Sequence, residues 1–110
     1  MKIKRNNNQI ILYKKDKVLF ISLEDILFIE RLNNFSYIHT RDRIIEIAIS
    51  LAKILESLTE TFVRSHRSYI INKQNIKEIT IINSSSYEVI YEESKRALLH
   101  KRVFNELMKG

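Results

Sequence analysis

Short apolar runs separated by polar breaks recur along most of the chain, a pattern typical of many short β-strands. Runs at 9–13 and 17–22, split by Lys-Lys-Asp, predict a first hairpin. A strongly β-prone run at 26–30 is ended by the Asn pair within 31–36. Further strands are predicted at 37–40, 43–49, 62–64, 76–82, 86–91 and 95–100. The pattern therefore predicts a mostly β fold.

Two segments show helical spacing instead. In 50–60, Ser50 is placed to cap a helix whose apolar residues recur at i, i+3, i+4 and i+7: Leu51, Ile54, Leu55 and Leu58. In 101–109, four apolar residues share one face: Val103, Phe104, Leu107 and Met108. Ser22 with Asp25 also resembles a capping box around a single helical turn. We expect one amphipathic helix and one closing helix.

The turns must form almost without glycine, since Gly110 is the only glycine and the chain has no proline. Asn, Asp and Ser tolerate the left-handed conformation and bond to nearby backbone groups. We therefore expect these residues in the turns, with Arg41-Asp42 closing the hairpin between 37–40 and 43–49.

A chain of 110 residues, 45% of them hydrophobic, has the size and composition of one folded domain. Residues 1–8 are polar and are expected to be a lead-in to a domain over 9–110. No stretch reaches the roughly 18 apolar residues of a membrane span, and the N-terminus lacks the apolar core of a signal peptide. We expect no membrane insertion and a cytoplasmic location.

The charge is strongly positive: 19 Lys and Arg against 13 Asp and Glu give a net charge of +6 and a pI near 9.7. Such a field favours polyanions such as DNA, RNA or anionic lipid headgroups. The positive charge by itself is also compatible with a role in solubility only.

Catalysis and metal binding find little support. No glycine-rich phosphate loop is present, and the absence of cysteine removes thiolate ligands and thiol nucleophiles. The histidines lie far apart in no zinc-ligand spacing: His39, His66 and His100. Glu30 is expected to pair with a nearby Arg, and Glu92-Glu93 to form a solvated turn. We expect no enzyme, no catalytic residue, no metal and no cofactor.

Three clusters of basic and hydrogen-bonding residues fit nucleic acid better. They are 31–37, 64–67 with Lys73 beyond it, and 94–102. Arg suits guanine edges and phosphates, Asn suits adenine, and Lys and Ser suit phosphates. Each cluster alone is also compatible with a solvated face. No helix-turn-helix pair is present, so DNA recognition is expected from loops on a β-scaffold.

The run 62–79 resembles the signature of the LytTR family of bacterial DNA-binding domains. The matching residues are Phe62, Arg64, His66, Arg67, Ser68, Tyr69, Ile70, Ile71, Asn72, Ile76 and Ile79. Segment 21–30 resembles the family's acidic turn and following strand, and 50–58 its amphipathic helix. The resemblance extends over residues 17–108.

This resemblance implies an elongated antiparallel β-β-β sandwich with one amphipathic helix and a C-terminal helix. It also implies a transcription regulator that inserts loops into successive major grooves, often as a homodimer on paired promoter repeats. Many members carry an N-terminal phosphoacceptor domain, for which this chain has no room. The chain is therefore expected to be a stand-alone regulator or a fragment, and a stand-alone one needs another trigger, such as a regulatory protein partner or a ligand.

The resemblance also implies which residues meet DNA. It places them on or near Ser36, with Asn34 and Tyr37 adjacent, at Arg67, and at Lys101 or Arg102. The basic cluster at 64–67 adds two further expected contacts, Arg64 and Lys73. His100 stands where the family usually has Ser, which leaves open whether Lys101 or Arg102 contacts a base. His66 and Asn72 are expected to brace the motif.

Two other functions remain open from the residues. A β-rich module could bind a protein partner through unpaired strand edges, with its charge incidental. RNA binding is the weaker alternative, because no RNP-like motif is present, although aromatic residues are available for stacking: Phe35, Tyr37 and Tyr69.

Overall fold

The computed structural model describes residues 2–109, which form eleven strands and two α-helices. The strands are β1 Lys2–Asn6, β2 Gln9–Tyr13, β3 Val18–Ser22, β4 Ile26–Leu32, β5 Phe35–Thr40, β6 Ile44–Ile47, β7 Phe62–His66, β8 Tyr69–Asn72, β9 Glu78–Ile81, β10 Ser86–Ile90 and β11 Arg96–His100. The helices are α1 Leu51–Leu55 and α2 Lys101–Lys109, and single 3-10 turns lie at Leu23–Asp25 and Glu92–Ser94.

The strands form three antiparallel sheets. The first has the order β1-β2-β3, the second β6-β5-β4-β8-β7, and the third β11-β10-β9. The molecule is elongated, at 45 × 28 × 26 Å. The predicted mostly β, elongated architecture is confirmed.

The five-stranded sheet is the central layer because apolar residues cover both of its faces. Ile29 of β4 packs in a cluster with Ile10 and Ile21 of the first sheet and Ile54 of α1. Phe28, the neighbour of Ile29, packs on the opposite side among residues of the third sheet and α2. Successive strand residues point to opposite faces, so one strand serves two cores.

Most predicted elements are present, and the helices differ in detail. Ser50 caps α1, its hydroxyl accepting a hydrogen bond from the Lys53 N–H at 3.2 Å. The helix ends at Leu55 rather than 60, although Leu58 is still buried beyond it. Helix α2 matches the expectation, except that Met108 is 61% exposed. Ser22 precedes the first 3-10 turn without a side-chain capping bond.

Two strands depart from the expectations. The predicted lead-in over 1–8 contains β1, which pairs with β2 along its whole length. Its polar sequence gave no signal because β1 is an edge strand whose stability comes from its partner. Strand β8 lies between β4 and β7 and was not predicted as a separate strand. The expected break over 31–36 is only a two-residue turn, Asn33–Asn34.

Turn formation by Asn is confirmed. Asn7, Asn33 and Asn75 have φ values of 57°, 58° and 68°, the left-handed region that Asn tolerates best after glycine. Glu93 and Ser94 share this conformation. Among residues 2–109, no helix is long and apolar enough to cross a membrane.

Candidate nucleic-acid interface

Two hairpin turns lie at the same end of the central sheet. β4 and β8 run antiparallel, and the Arg31 N–H donates to the Ser68 carbonyl at 2.8 Å. The turn Asn33–Asn34 that follows β4 therefore lies beside the turn Arg67–Ser68 that precedes β8. This contact brings the first and second sequence clusters to the same end of the central sheet.

The third cluster joins the second across the sheets. The Ser65 hydroxyl of β7 donates to the Leu98 carbonyl of β11 at 2.8 Å. Beyond this bond, both strands end at one shallow hollow of about 350 Å³. Its lining residues are Arg64, Ser65, His66, Arg67, His100, Arg102 and Val103. Two clusters far apart in sequence thus form one basic surface.

A fourth loop, which the sequence reasoning missed, borders this surface. The Lys101 N–H donates to the Ser85 carbonyl at 3.0 Å, which fixes the β9–β10 loop beside the start of α2. Ser84, Ser85 and Lys109 line a second hollow of about 410 Å³ that shares His100 and Arg102 with the first. The run Asn-Ser-Ser-Ser at 83–86 was the available signal.

These four segments lie side by side at neighbouring strand ends of the central and third sheets, and we call them the loop face. It consists of Asn33–Asn34, 64–68, Asn83–Ser85 and 100–102. Asn34, Arg67, Lys101 and Arg102 are all exposed there.

The Arg67–Ser68 turn is held by its own neighbours. The Arg64 guanidinium donates to the carbonyls of His66 at 3.1 Å and Arg67 at 2.5 Å. The His66 Nδ1 accepts from the Ser68 N–H at 3.1 Å. Arg64 and His66 therefore fix the turn, whereas the Arg67 side chain is exposed and makes no hydrogen bond or ion pair with residues 2–109.

His100 takes over a capping role at the start of α2. Its Nδ1 accepts a hydrogen bond from the Arg102 N–H at 3.0 Å, the type of bond that a Ser side chain makes at a helix N-terminus. The substitution of His for the family's usual Ser therefore retains an acceptor, and the Arg102 side chain is exposed.

Ser36 does not lie on the loop face, contrary to the expectation. It is fully buried, donating to the Ile49 carbonyl and accepting from the Arg31 guanidinium at 3.1 Å. Arg31 also donates to Ile49 at 3.0 Å. Tyr37 is half-buried and lies opposite Glu30 and Glu46 in the strand register. At this hairpin, only the Asn33–Asn34 turn and the residues flanking it are exposed.

Lys73 and Asn72 lie at the opposite end of β8 from Arg67. Lys73 is exposed, but the length of β8 separates it from the loop face. Asn72 is buried, donating to the Ile26 carbonyl at 2.8 Å and accepting from the Gln74 N–H at 3.0 Å. The Tyr91 hydroxyl donates to the Asn72 carbonyl at 2.6 Å. Asn72 thus joins β8 to β4, and its backbone joins β8 to the third sheet.

The acidic residues have partners other than those expected. Glu30 does not pair with an Arg: its carboxylate bonds to His39 Nε2 and to the Tyr69 hydroxyl, each at 3.0 Å. Burial, followed by the hydrogen bond that the Tyr69 hydroxyl donates to Glu30, raises the pKa of Tyr69 to about 12. Glu92 is not simply solvated, because Arg41 pairs with it at 2.6 Å. Within residues 2–109, no three His, Asp or Glu side chains are grouped to hold a metal.

Stability is expected to fall as the pH falls below about 6.5, the ordinary pKa of His. Burial lowers the pKa of His39, outweighing the opposite effect of Glu30, and Lys95 lowers it further. Burial also lowers the pKa of His66, with contributions from Arg67, His100 and Arg64. In this range the unfolded chain binds protons that the folded protein excludes, so protonation favours unfolding.

Urea denaturation at pH 7.5 and 5.5 measures this dependence. The variant His39→Gln retains a donor for Glu30 and removes one titrating group. Its stability should change less between the two pH values than that of the unmodified protein. An equal or larger change in the variant would show that His39 does not carry the effect.

Comparisons with known proteins identify the family of this domain. The sequence model of the LytTr DNA-binding domain matches residues 16–109, most of the chain. The chain belongs to the LytTR family of DNA-binding domains. The resemblance stated from residues 17–108 is confirmed, and the family consists of DNA-binding domains of transcription regulators rather than enzymes.

The curated LytTR relatives are longer proteins. The transcriptional regulatory protein NatR of Bacillus subtilis is 33% identical over 98 residues, which are 87% of this chain and 42% of NatR. The transcriptional regulatory protein LytR of Staphylococcus aureus is 36% identical over 76 residues, 68% of this chain and 31% of LytR. The chain thus spans less than half the length of either relative.

A solved LytTr DNA-binding domain from Bacillus cereus has the same fold. It superposes with a TM-score of 0.78, covers 94% of this chain and 96% of its own, and is 19% identical in sequence. This likeness shows that the two domains share one fold.

Proposed function

We propose that this chain is the sequence-specific DNA-binding unit of a bacterial transcription regulator and places its loop face in successive major grooves. One observation carries the proposal: chain segments far apart in sequence meet on the loop face, where Arg67, Lys101 and Arg102 are exposed. Cations clustered on one face supply affinity for phosphates, and loops between them contact base edges.

The residues divide by chemistry. Arg67 and Arg102 carry forked guanidinium groups that suit guanine edges or phosphates, and Asn34 carries an amide that suits adenine. Lys101 is a point charge suited to phosphate. Arg64 is partly used by backbone carbonyls and contributes mainly by holding the turn. Ser36 is left out of the proposed interface because it is buried, and Lys73 because it lies at the opposite end of β8. Tyr37 is left out because Glu30 and Glu46 lie on either side of it.

The proposed setting is a cytoplasmic regulator acting on promoter repeats. Two copies bound to paired repeats place two loop faces on the same side of the DNA. A receiver domain or a separate protein partner would be a property of the whole regulator rather than of this DNA-binding unit. The relatives NatR and LytR are longer than this chain.

Selection of bound sequences from a random duplex pool, followed by fluorescence anisotropy across salt, tests the proposal. We expect an enriched motif, submicromolar binding at low salt and a log–log salt slope of several units, since each phosphate contact contributes about 0.9. Absence of duplex binding even at low salt would instead favour a protein-interaction module. The free edge of β9, with Ile81 68% exposed, is the surface such a module would use.

A further inference from the structure

An apolar pair flanks the Asn33–Asn34 turn. Leu32 and Phe35 face each other across β4 and β5, so their side chains lie on the same face of the hairpin. Leu32 is 55% exposed and Phe35 is 38% exposed. Because these two apolar side chains are adjacent and exposed at a hairpin tip, they are available for a contact outside the fold.

The tip carries no free positive charge. Residues 32–40 contain neither Lys nor Arg, and Arg31 is directed inward to Ser36 and Ile49. Glu30 lies two residues before Leu32 in β4, and Glu46 lies opposite Tyr37 in β6. Both carboxylates are therefore on the same face of the sheet as Phe35. A surface of this kind does not attract phosphates. Any contact that it makes with DNA must be with uncharged groups, the base edges.

The tip also has the reach for such a contact. Arg31 lies beside Ser68, so the Asn33–Asn34 turn projects beyond the Arg67–Ser68 turn by about two residues, roughly 7 Å. The major groove is about 8.5 Å deep. When Arg67 and Arg102 lie at the phosphate ridges or upper base edges, the tip extends towards the groove floor.

We propose that Leu32 and Phe35 recognise the C5-methyl group of thymine, making the hairpin tip a reader of A·T pairs. The thymine methyl is the apolar group that the major groove presents, and apolar side chains are its usual partners. Asn34, between them in sequence, supplies the amide that suits the adenine of such a pair. This inference rests on the proposed DNA-binding function and adds a specificity determinant to it.

Replacing thymine by uracil in the selected duplex tests the inference, because it removes the methyl group and nothing else. Each thymine is replaced in turn and the dissociation constant is measured by anisotropy. With the unmodified protein, we expect about fourfold weaker binding at one or two thymines, the value of one buried methyl group.

Leu32→Ala and Phe35→Ala complete the test. Each should weaken binding to the thymine duplex several-fold, abolish the thymine–uracil difference at one position and leave the salt slope unchanged. Ile44→Ala is the matched control, since Ile44 is 59% exposed on a strand of the same sheet but lies at the opposite end of β6 from the tip. It should retain both affinity and the methyl effect. Thermal melting checks that every variant is folded.

Two results would contradict the thymine-methyl contact without contradicting the proposed DNA-binding function. If the unmodified protein binds its selected duplex but is indifferent to uracil at every position, the methyl contact is wrong and the DNA-binding function stands. The methyl contact is equally wrong if the tip variants lose the same affinity for thymine and uracil duplexes, which would assign the pair to packing or a protein contact. Failure to bind any duplex overturns both.

Discussion

Replacing both Arg67 and Arg102 by alanine is expected to weaken binding to the selected duplex by about 2–6 kcal/mol, at least roughly 30-fold in Kd. Each residue is exposed on the loop face and lies at the rim of the hollow between β7 and β11. Each lost arginine contact to a base or phosphate is expected to cost about 1–3 kcal/mol.

Anisotropy titrations across salt distinguish what each arginine touches. Loss of a phosphate contact weakens all sequences alike and lowers the salt slope by about 1, whereas loss of a base contact relaxes specificity at one position. The single variants assign the role of each residue.

The matched control removes the same two charges elsewhere. Arg5 in β1 and Arg43 before β6 are exposed arginines away from the loop face. The variant Arg5→Ala with Arg43→Ala should bind within a few-fold of the unmodified protein. If both double variants lose affinity equally, binding depends on net charge alone and the loop face is not the DNA-binding surface.

Asn72→Leu is expected to lower the free energy of unfolding by about 2–4 kcal/mol. The change leaves the Ile26 carbonyl and the Gln74 N–H without the amide that satisfies them, and an unsatisfied buried polar group costs about 1–3 kcal/mol. Urea denaturation measures the loss. Asn6→Leu, at the exposed end of β1, makes the same chemical change and should shift stability by less than about 0.5 kcal/mol.

The same variant separates bracing from DNA contact. Asn72 lies at the end of β8 away from the loop face, so the folded fraction of Asn72→Leu should bind the selected duplex as tightly as the unmodified protein. A variant of normal stability with weakened DNA binding would show instead that Asn72 is part of the interface.

The fold was largely predictable because its signals are local. Alternating apolar residues predicted the hairpins, and the spacing of apolar residues predicted α2. Asn residues marked turns in a chain with a single glycine. The errors occurred where stability comes from a partner: β1 is too polar to be recognised without β2, and β8 is a short segment within a longer motif.

The candidate site was predictable only in part. The family signature placed Arg67 and the 101–102 pair, and the structure leaves these side chains exposed. It also placed Ser36, which lies in the protein interior. The basic cluster suggested Lys73, which lies at the far end of β8 from the loop face. The signature gave no indication of the Ser84–Ser85 loop, because that segment's position depends on a backbone bond to Lys101.

The sequence by itself determined the high content of β-strand, the basic charge and the family, because each depends on residue type and local spacing. Only the tertiary structure decided which polar residues meet. Alternation along a strand specifies two faces, but not which strand lies beside it or which loops share an end. The order β6-β5-β4-β8-β7 and the contact of β7 with β11 bring 33–34, 67–68 and 100–102 together, and these are pairings between segments distant in the chain.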